Sequence, residues 1–99
     1  MSEKIDPKKA KELIEKNKDN PKFRVIDVRT KEEFSEEHVK GALNLDIYDE
    51  RFDEVISKLD KDKTYLVYCK SGGRCGSAAE LMDEMGFKKV YSVIGWLFG

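Results

Sequence analysis

The sequence predicts an α/β fold with a mostly parallel sheet covered by helices on both faces. Three observations carry that expectation. Short apolar, β-branched or aromatic runs alternate with helical runs along the whole chain. The run Phe23 to Val28 is almost continuously apolar through Val25, Ile26 and Val28, as a parallel strand covered on both faces requires. The stretch from Val67 through Cys69, Gly72, Gly73 and Arg74 to Gly76 then reads as strand end, glycine loop and helix start. Open α/β sheets bind ligands at such junctions.

The elements follow in order. Asp6 supplies an N-cap carboxylate and Pro7 the first helical position. Ala10, Leu13, Ile14 and Asn17 mark the stripe this helix buries, and Lys18-Asp19-Asn20-Pro21 ends it. Phe23 to Val28 is the first strand, closed by Asp27-Val28-Arg29. Thr30-Lys31-Glu32-Glu33 has the pattern of a capping box and starts a short helix through Phe34. His38-Val39-Lys40-Gly41-Ala42 turns the chain into a short strand near Leu43 to Leu45. Phe52, Val55, Ile56 and Leu59, spaced by threes and fours, mark a second amphipathic helix. Lys61-Asp62-Lys63 is a turn, and Thr64 to Tyr68 is the strand that delivers Cys69. The helix after the loop carries Ala78, Leu81, Met82 and Met85 on one face and stops at Gly86. Lys89 to Val93 is the last strand. Two roles stand open for the apolar tail Ile94 to Gly99: covering a sheet edge, or packing loosely. No repeat, low-complexity segment or linker interrupts the 99 residues, so one domain over 1–99 is expected.

The loop holds the chemistry. A glycine-bearing turn into a helix directs backbone N–H groups at one point and makes an anion cradle. Those N–H groups, the helix dipole, Lys70 and Arg74 all favour thiolate at Cys69, which marks it as a nucleophile. Gly72 and Gly73 admit positive φ and close backbone approach. Arg74 suits a two-pronged contact to an oxyanion and a salt bridge that pins the loop, two roles that do not exclude each other. Lys70 adds positive potential at the mouth or is simply solvated. Asp27 and Arg29 end a strand on the ligand-binding edge and are read mainly as scaffold, with Arg29 expected to pair with Glu33 and Asp27 to receive loop hydrogen bonds. His38 is the only histidine; a turn-stabilising hydrogen bond is favoured for it over a Cys–His pair, since a thiolate held by the loop needs no base. Cys75, six positions after Cys69, is either a small, partly buried helix-start residue or a second thiol that resolves or relays what Cys69 carries.

Composition removes whole classes of function. Charged residues make up 39% of the chain, against ~25% for ordinary domains, yet the net charge is −1. That balance offers nothing to a nucleic acid backbone. No apolar run is long enough to span a bilayer. The N-terminal residues lack a signal-peptide core, so a cytoplasmic protein is expected. Two cysteines are too few for a disulfide framework, and no Cys/His spacing suits zinc; neither metal nor cofactor is expected. Abundant Lys and Glu with two prolines would also suit a heat-adapted protein.

Taken together, Val25 to Arg29, Glu32-Glu33-Phe34, His38 to Asn44 and Cys69 to Arg74 resemble the rhodanese (sulfurtransferase) family, over nearly the whole chain. The first and third blocks resemble its scaffold signatures and the last its catalytic loop. The resemblance implies a three-layer fold with a five-stranded parallel sheet between helices. It implies that Cys69 takes the outer sulfur of a small anionic donor such as thiosulfate as a persulfide and passes it to a thiophilic acceptor, cyanide or a thiol. The loop N–H groups from Lys70 through Ser71, Gly72 and Gly73 to Arg74 would surround the added sulfur. The acceptors it allows include a protein thiol, and a monomer is expected. Two departures stand out. The family usually has Ser or Thr where this chain has Cys75. It commonly has a Gly-Gly pair before its tryptophan, where this chain has Ile94-Gly95-Trp96, and residues beyond it, where this chain ends at Gly99. The same fold also serves phosphatases and arsenate reductases, whose loop is one residue longer, and modules that bind or sense oxidation without turnover. Four residues between Cys69 and Arg74 suit a single sulfur atom better than a tetrahedral phosphate.

Overall fold

A computed structural model describes residues 2–98. Its sheet is wholly parallel, with five strands in the order β1-β5-β4-β2-β3. In chain order the elements are β1 Ser2–Ile5, α1 Pro7–Lys16, β2 Phe23–Asp27, α2 Lys31–Glu36, β3 Leu43–Asn44, α3 Phe52–Ser57, β4 Thr64–Tyr68, α4 Gly73–Glu84 and β5 Lys89–Val93. Among the described residues no helix is long and apolar enough to cross a membrane.

The strands deliver side chains alternately to two apolar layers, as a period of two dictates. Ile26, Tyr65, Val67 and Cys69 join Phe52 and Ile56 of α3 and Ala78, Ala79 and Met82 of α4. Val25, Leu66 and Tyr68 point the other way, toward Ala10 of α1 and Leu97 of the tail. Asp6 caps α1 by accepting the Lys9 N–H at 2.8 Å. Thr30 and Glu33 form the reciprocal capping box of α2. Val55 departs from the expected stripe: it is 38% exposed, while Phe52 and Ile56 carry the burial. The six-residue helix turns too few times to bury all four positions.

β1 has no counterpart in the sequence reading, where only the resemblance implied a fifth strand. It is a four-residue edge strand with one buried side chain, Ile5, and its pairing with β5 fixes it. The tail resolves in favour of covering, though over a face and not an edge. Leu97 is buried against the α1 layer, Phe98 meets Tyr68 edge-on, and Ile94 stands out at 54% exposure. The Ile94 N–H donates to the Ile5 carbonyl at 2.9 Å, tying the tail to β1.

The topology places the site. All strands run the same way, so all their carboxyl ends lie on one edge. β2 connects outward to β3, whereas β4 connects in the opposite direction to β5. Between β2 and β4 the connections therefore diverge and leave a crevice, the usual ligand position in such sheets. Asp27 is in register with Tyr68, and Cys69 follows at once.

Candidate active site

β4 brings Cys69 to the crevice, and α4 begins four residues later at Gly73. Between them the chain must double back. Gly72 does so with φ +100°, and a Cβ there would lie 3.2 Å from the Ile94 backbone. Both the angle and the space demand glycine. Gly73 is under no such constraint: it is helical in position, and a Cβ would meet nothing within 4 Å.

This turn aims donors at the sulfur. Cys69 Sγ accepts the Gly72 N–H at 3.1 Å and the Cys75 N–H at 3.3 Å. The Cys75 thiol lies beside it, also within reach of the Gly72 carbonyl at 3.4 Å and the Val93 carbonyl at 3.1 Å. Both cysteines are free and fully buried, while Lys70, Ser71 and Gly73 on the crest are exposed. The Cys75 thiol, then the N–H groups of Cys75, Gly72 and Ser71, favour the anion more than burial disfavours it, and hold Cys69 at about 5 instead of 9.0. The neighbouring Cys69 anion, with burial behind it, pushes the Cys75 thiol far upward. One negative charge is shared by two sulfurs, and it resides on Cys69. The rate of alkylation by iodoacetamide should accordingly follow the thiolate fraction, staying level at neutral pH and falling only as pH drops through about 5. A midpoint near 9 in a pH series of alkylation rates would contradict this cradle.

Arg74 is pinned by Glu33. Its Nη1 and Nη2 donate to Glu33 Oε1 and Oε2 at 2.8 and 3.2 Å. The pair is the salt bridge of the two roles open to Arg74, and it corrects the expected Arg29–Glu33 pairing. Glu33 also accepts the Thr30 N–H at 3.0 Å, so the start of α2 clamps the start of α4. Arg74, with help from Thr30, pulls the Glu33 carboxyl from 4.5 to about 2. A depressed folded value means that the clamp's contribution is fully present above pH 4.5 and is lost as pH falls through about 2. The side chains are 21% and 28% exposed, so Glu33→Gln should cost about 1–2 kcal/mol at neutral pH. Urea titrations of both proteins should converge toward pH 2; a gap that stays constant would exclude the ion pair as its cause.

Arg29 pairs instead with Asp27. The Asp27 carboxylate accepts the Arg29 N–H at 2.9 Å, Nε at 3.0 Å and Nη2 at 2.8 Å. Arg29 Nη2 also donates to the Glu37 carbonyl. The guanidinium lies 4.8 Å from the Trp96 ring centroid and 5.7 Å from that of Tyr68, an arrangement that favours a desolvated cation. Asn44 Nδ2 donates to the Asp27 and Arg29 carbonyls at 3.1 and 3.0 Å. The pair is thus buried support for the crevice floor. Asn44, Tyr68 and Trp96 were not marked as partners from the sequence, where each reads as an ordinary strand or tail residue.

His38 lies outside the hydrogen bonds to Cys69. It is exposed, stacked on Phe34 at 3.7 Å, with Nδ1 2.7 Å from the Phe34 carbonyl. Lys70 is exposed, with Nζ 5.9 Å from the Trp96 ring. Among the described residues no group of His, Cys, Asp and Glu is placed to hold a metal ion.

The geometry therefore offers a buried thiolate in a ring of backbone donors under a lysine-bearing crest. Thiosulfate sulfurtransferase GlpE of Coxiella burnetii is 38% identical over 95 residues, 96% of this chain and 83% of that protein. The tRNA uridine(34) hydroxylase of Photorhabdus laumondii is 33% identical over 94% of this chain, which corresponds to only 29% of that longer protein. The solution structure of the rhodanese-like domain of Alr3790 from Anabaena superimposes with TM-score 0.77 and 28% identity, over 98% of this chain and 71% of that one. The same domain thus occurs in proteins named for different activities. The family model described as Rhodanese-like domain matches residues 6–97, and on that match the chain belongs to the rhodanese-like domain family.

Proposed function

We propose that this chain is a sulfurtransferase in which Cys69 carries sulfur as a persulfide between a small anionic donor, such as thiosulfate, and a thiophilic acceptor. The observation that carries the proposal is the Cys69 sulfur held by the N–H groups of Gly72 and Cys75. A sulfur so held is an anion at neutral pH and attacks the outer sulfur of thiosulfate. The S–S bond of the donor breaks, sulfite departs with the bonding pair, and the persulfide anion remains in the cradle. Lys70 at the exposed crest supplies positive potential for the incoming donor. The names of relatives such as the Coxiella sulfurtransferase support the same reading.

Phosphate chemistry fits less well. Arg74 already spends both terminal nitrogens on Glu33, and four residues separate it from Cys69. The discriminating experiment supplies thiosulfate with cyanide in one assay and an aryl phosphate ester in another. Thiocyanate should form with turnover, and phosphate release should stay at background. Cys69-dependent phosphate release without thiocyanate would overturn the proposal.

A further inference from the structure

Sulfur transfer gives Cys75 no covalent task. Its position is nevertheless unlike that of a packing residue. Its own N–H touches Cys69 Sγ at 3.3 Å, and its thiol rests on the carbonyls of Val93 and Gly72 at 3.1 and 3.4 Å. Thiol-to-carbonyl contacts are weak hydrogen bonds. The Cys75 thiol also lies within hydrogen-bond reach of the Cys69 sulfur. A disulfide needs the sulfurs about 2.05 Å apart. Five residues lie between the two cysteines, all in the loop or the first helical turn, so closure draws on no strand of the sheet.

The electrostatics of the pair change with its oxidation state. While Cys69 is a thiolate it keeps Cys75 protonated beside it. Once the Cys69 sulfur is neutral, that charge no longer opposes loss of the Cys75 proton and only burial does. The second thiol is thereby easier to deprotonate once the first has been oxidised than before.

We propose that Cys69 and Cys75 together reduce small hydroperoxides, ending in an internal Cys69–Cys75 disulfide. The Cys69 thiolate attacks the terminal oxygen of the hydroperoxide. The O–O bond breaks, the alkoxide or hydroxide takes a proton from water, and Cys69 becomes a sulfenic acid. The Cys75 sulfur then attacks the Cys69 sulfur, its thiol proton passes to the departing hydroxide, and water leaves. The two cysteines lose two electrons and the hydroperoxide gains them. An external thiol reductant reopens the disulfide by exchange. The reaction needs no sulfur donor, so it stands apart from the sulfur-transfer proposal. It also gives Cys69 a reversible oxidised state in place of the irreversible sulfinic acid.

The test is hydrogen peroxide at one equivalent, followed by denaturation, alkylation and intact-mass measurement. Wild type should lose the mass of two hydrogens, resist alkylation at both cysteines, and recover both thiols with dithiothreitol. Cys75→Ser and Cys75→Ala should instead gain one oxygen atom on Cys69. Cys69→Ser should remain unoxidised. Wild type that gains oxygen on Cys69 while Cys75 still alkylates, or that forms disulfide-linked dimers in place of the internal bond, would overturn the proposal. No thiosulfate is present, so either result is independent of whether Cys69 accepts sulfur.

Discussion

Cys69→Ser should lose thiosulfate-dependent thiocyanate formation by at least about a thousandfold, to background, with the fold intact. Losses of that size follow removal of a covalent nucleophile. The serine fits the same cavity and its hydroxyl can take the Gly72 and Cys75 N–H groups that the sulfur accepts. What it lacks is the anion: a hydroxyl is not ionised at neutral pH, whereas the Cys69 thiol is held at about 5. Steady-state rates with circular dichroism as a folding control check this. A well-folded serine variant that retained even a tenth of the wild-type rate would remove Cys69 from the reaction.

Arg29→Met should cause the largest loss of stability, about 3–5 kcal/mol in urea unfolding. The substitution keeps much of the side-chain length but strands the Asp27 carboxylate, which has no exposed surface. It also removes the donor to the Glu37 carbonyl and the cation between Trp96 and Tyr68. The cost comes mainly from the orphaned charge. Adding Asp27→Leu to Arg29→Met should therefore recover a large part of it, a coupling that a double-mutant cycle measures. A single-variant loss below about 1 kcal/mol would mean that the pair is solvated and not a buried support.

The loop was legible in the sequence because its chemistry is local. Cys69, Gly72 and the helix start lie within five consecutive positions, and a strand–glycine–helix order leaves the backbone donors few places to point. The capping box of Thr30 and Glu33 was legible for the same reason. Partners across the fold were not. Glu33 stands four positions from Arg29, an ordinary helical ion-pair spacing, yet it meets Arg74 from 41 positions away. Arg29 instead folds back on Asp27, two residues earlier, because both lie at the buried end of β2, where an unpaired charge is costly. β1 escaped notice because Glu3 and Lys4 are exposed, and a single apolar side chain, Ile5, sets no period. The tail's place was open for a related reason: Leu97 and Trp96 take their burial from the α1 layer and from Arg29, neither of which is adjacent in sequence. Cys75 was visible as a residue, but its closeness to Cys69 depends on the positive φ of Gly72.

The central claim is that Cys69 holds transferable sulfur, and mass tests it most directly. Wild-type protein incubated with thiosulfate, freed of excess donor and measured intact, should gain one sulfur atom and lose it on addition of cyanide. Cys69→Ser treated in the same way should gain nothing. An equal gain on both proteins, or no gain on wild type while its thiol remains free, would contradict the persulfide at Cys69.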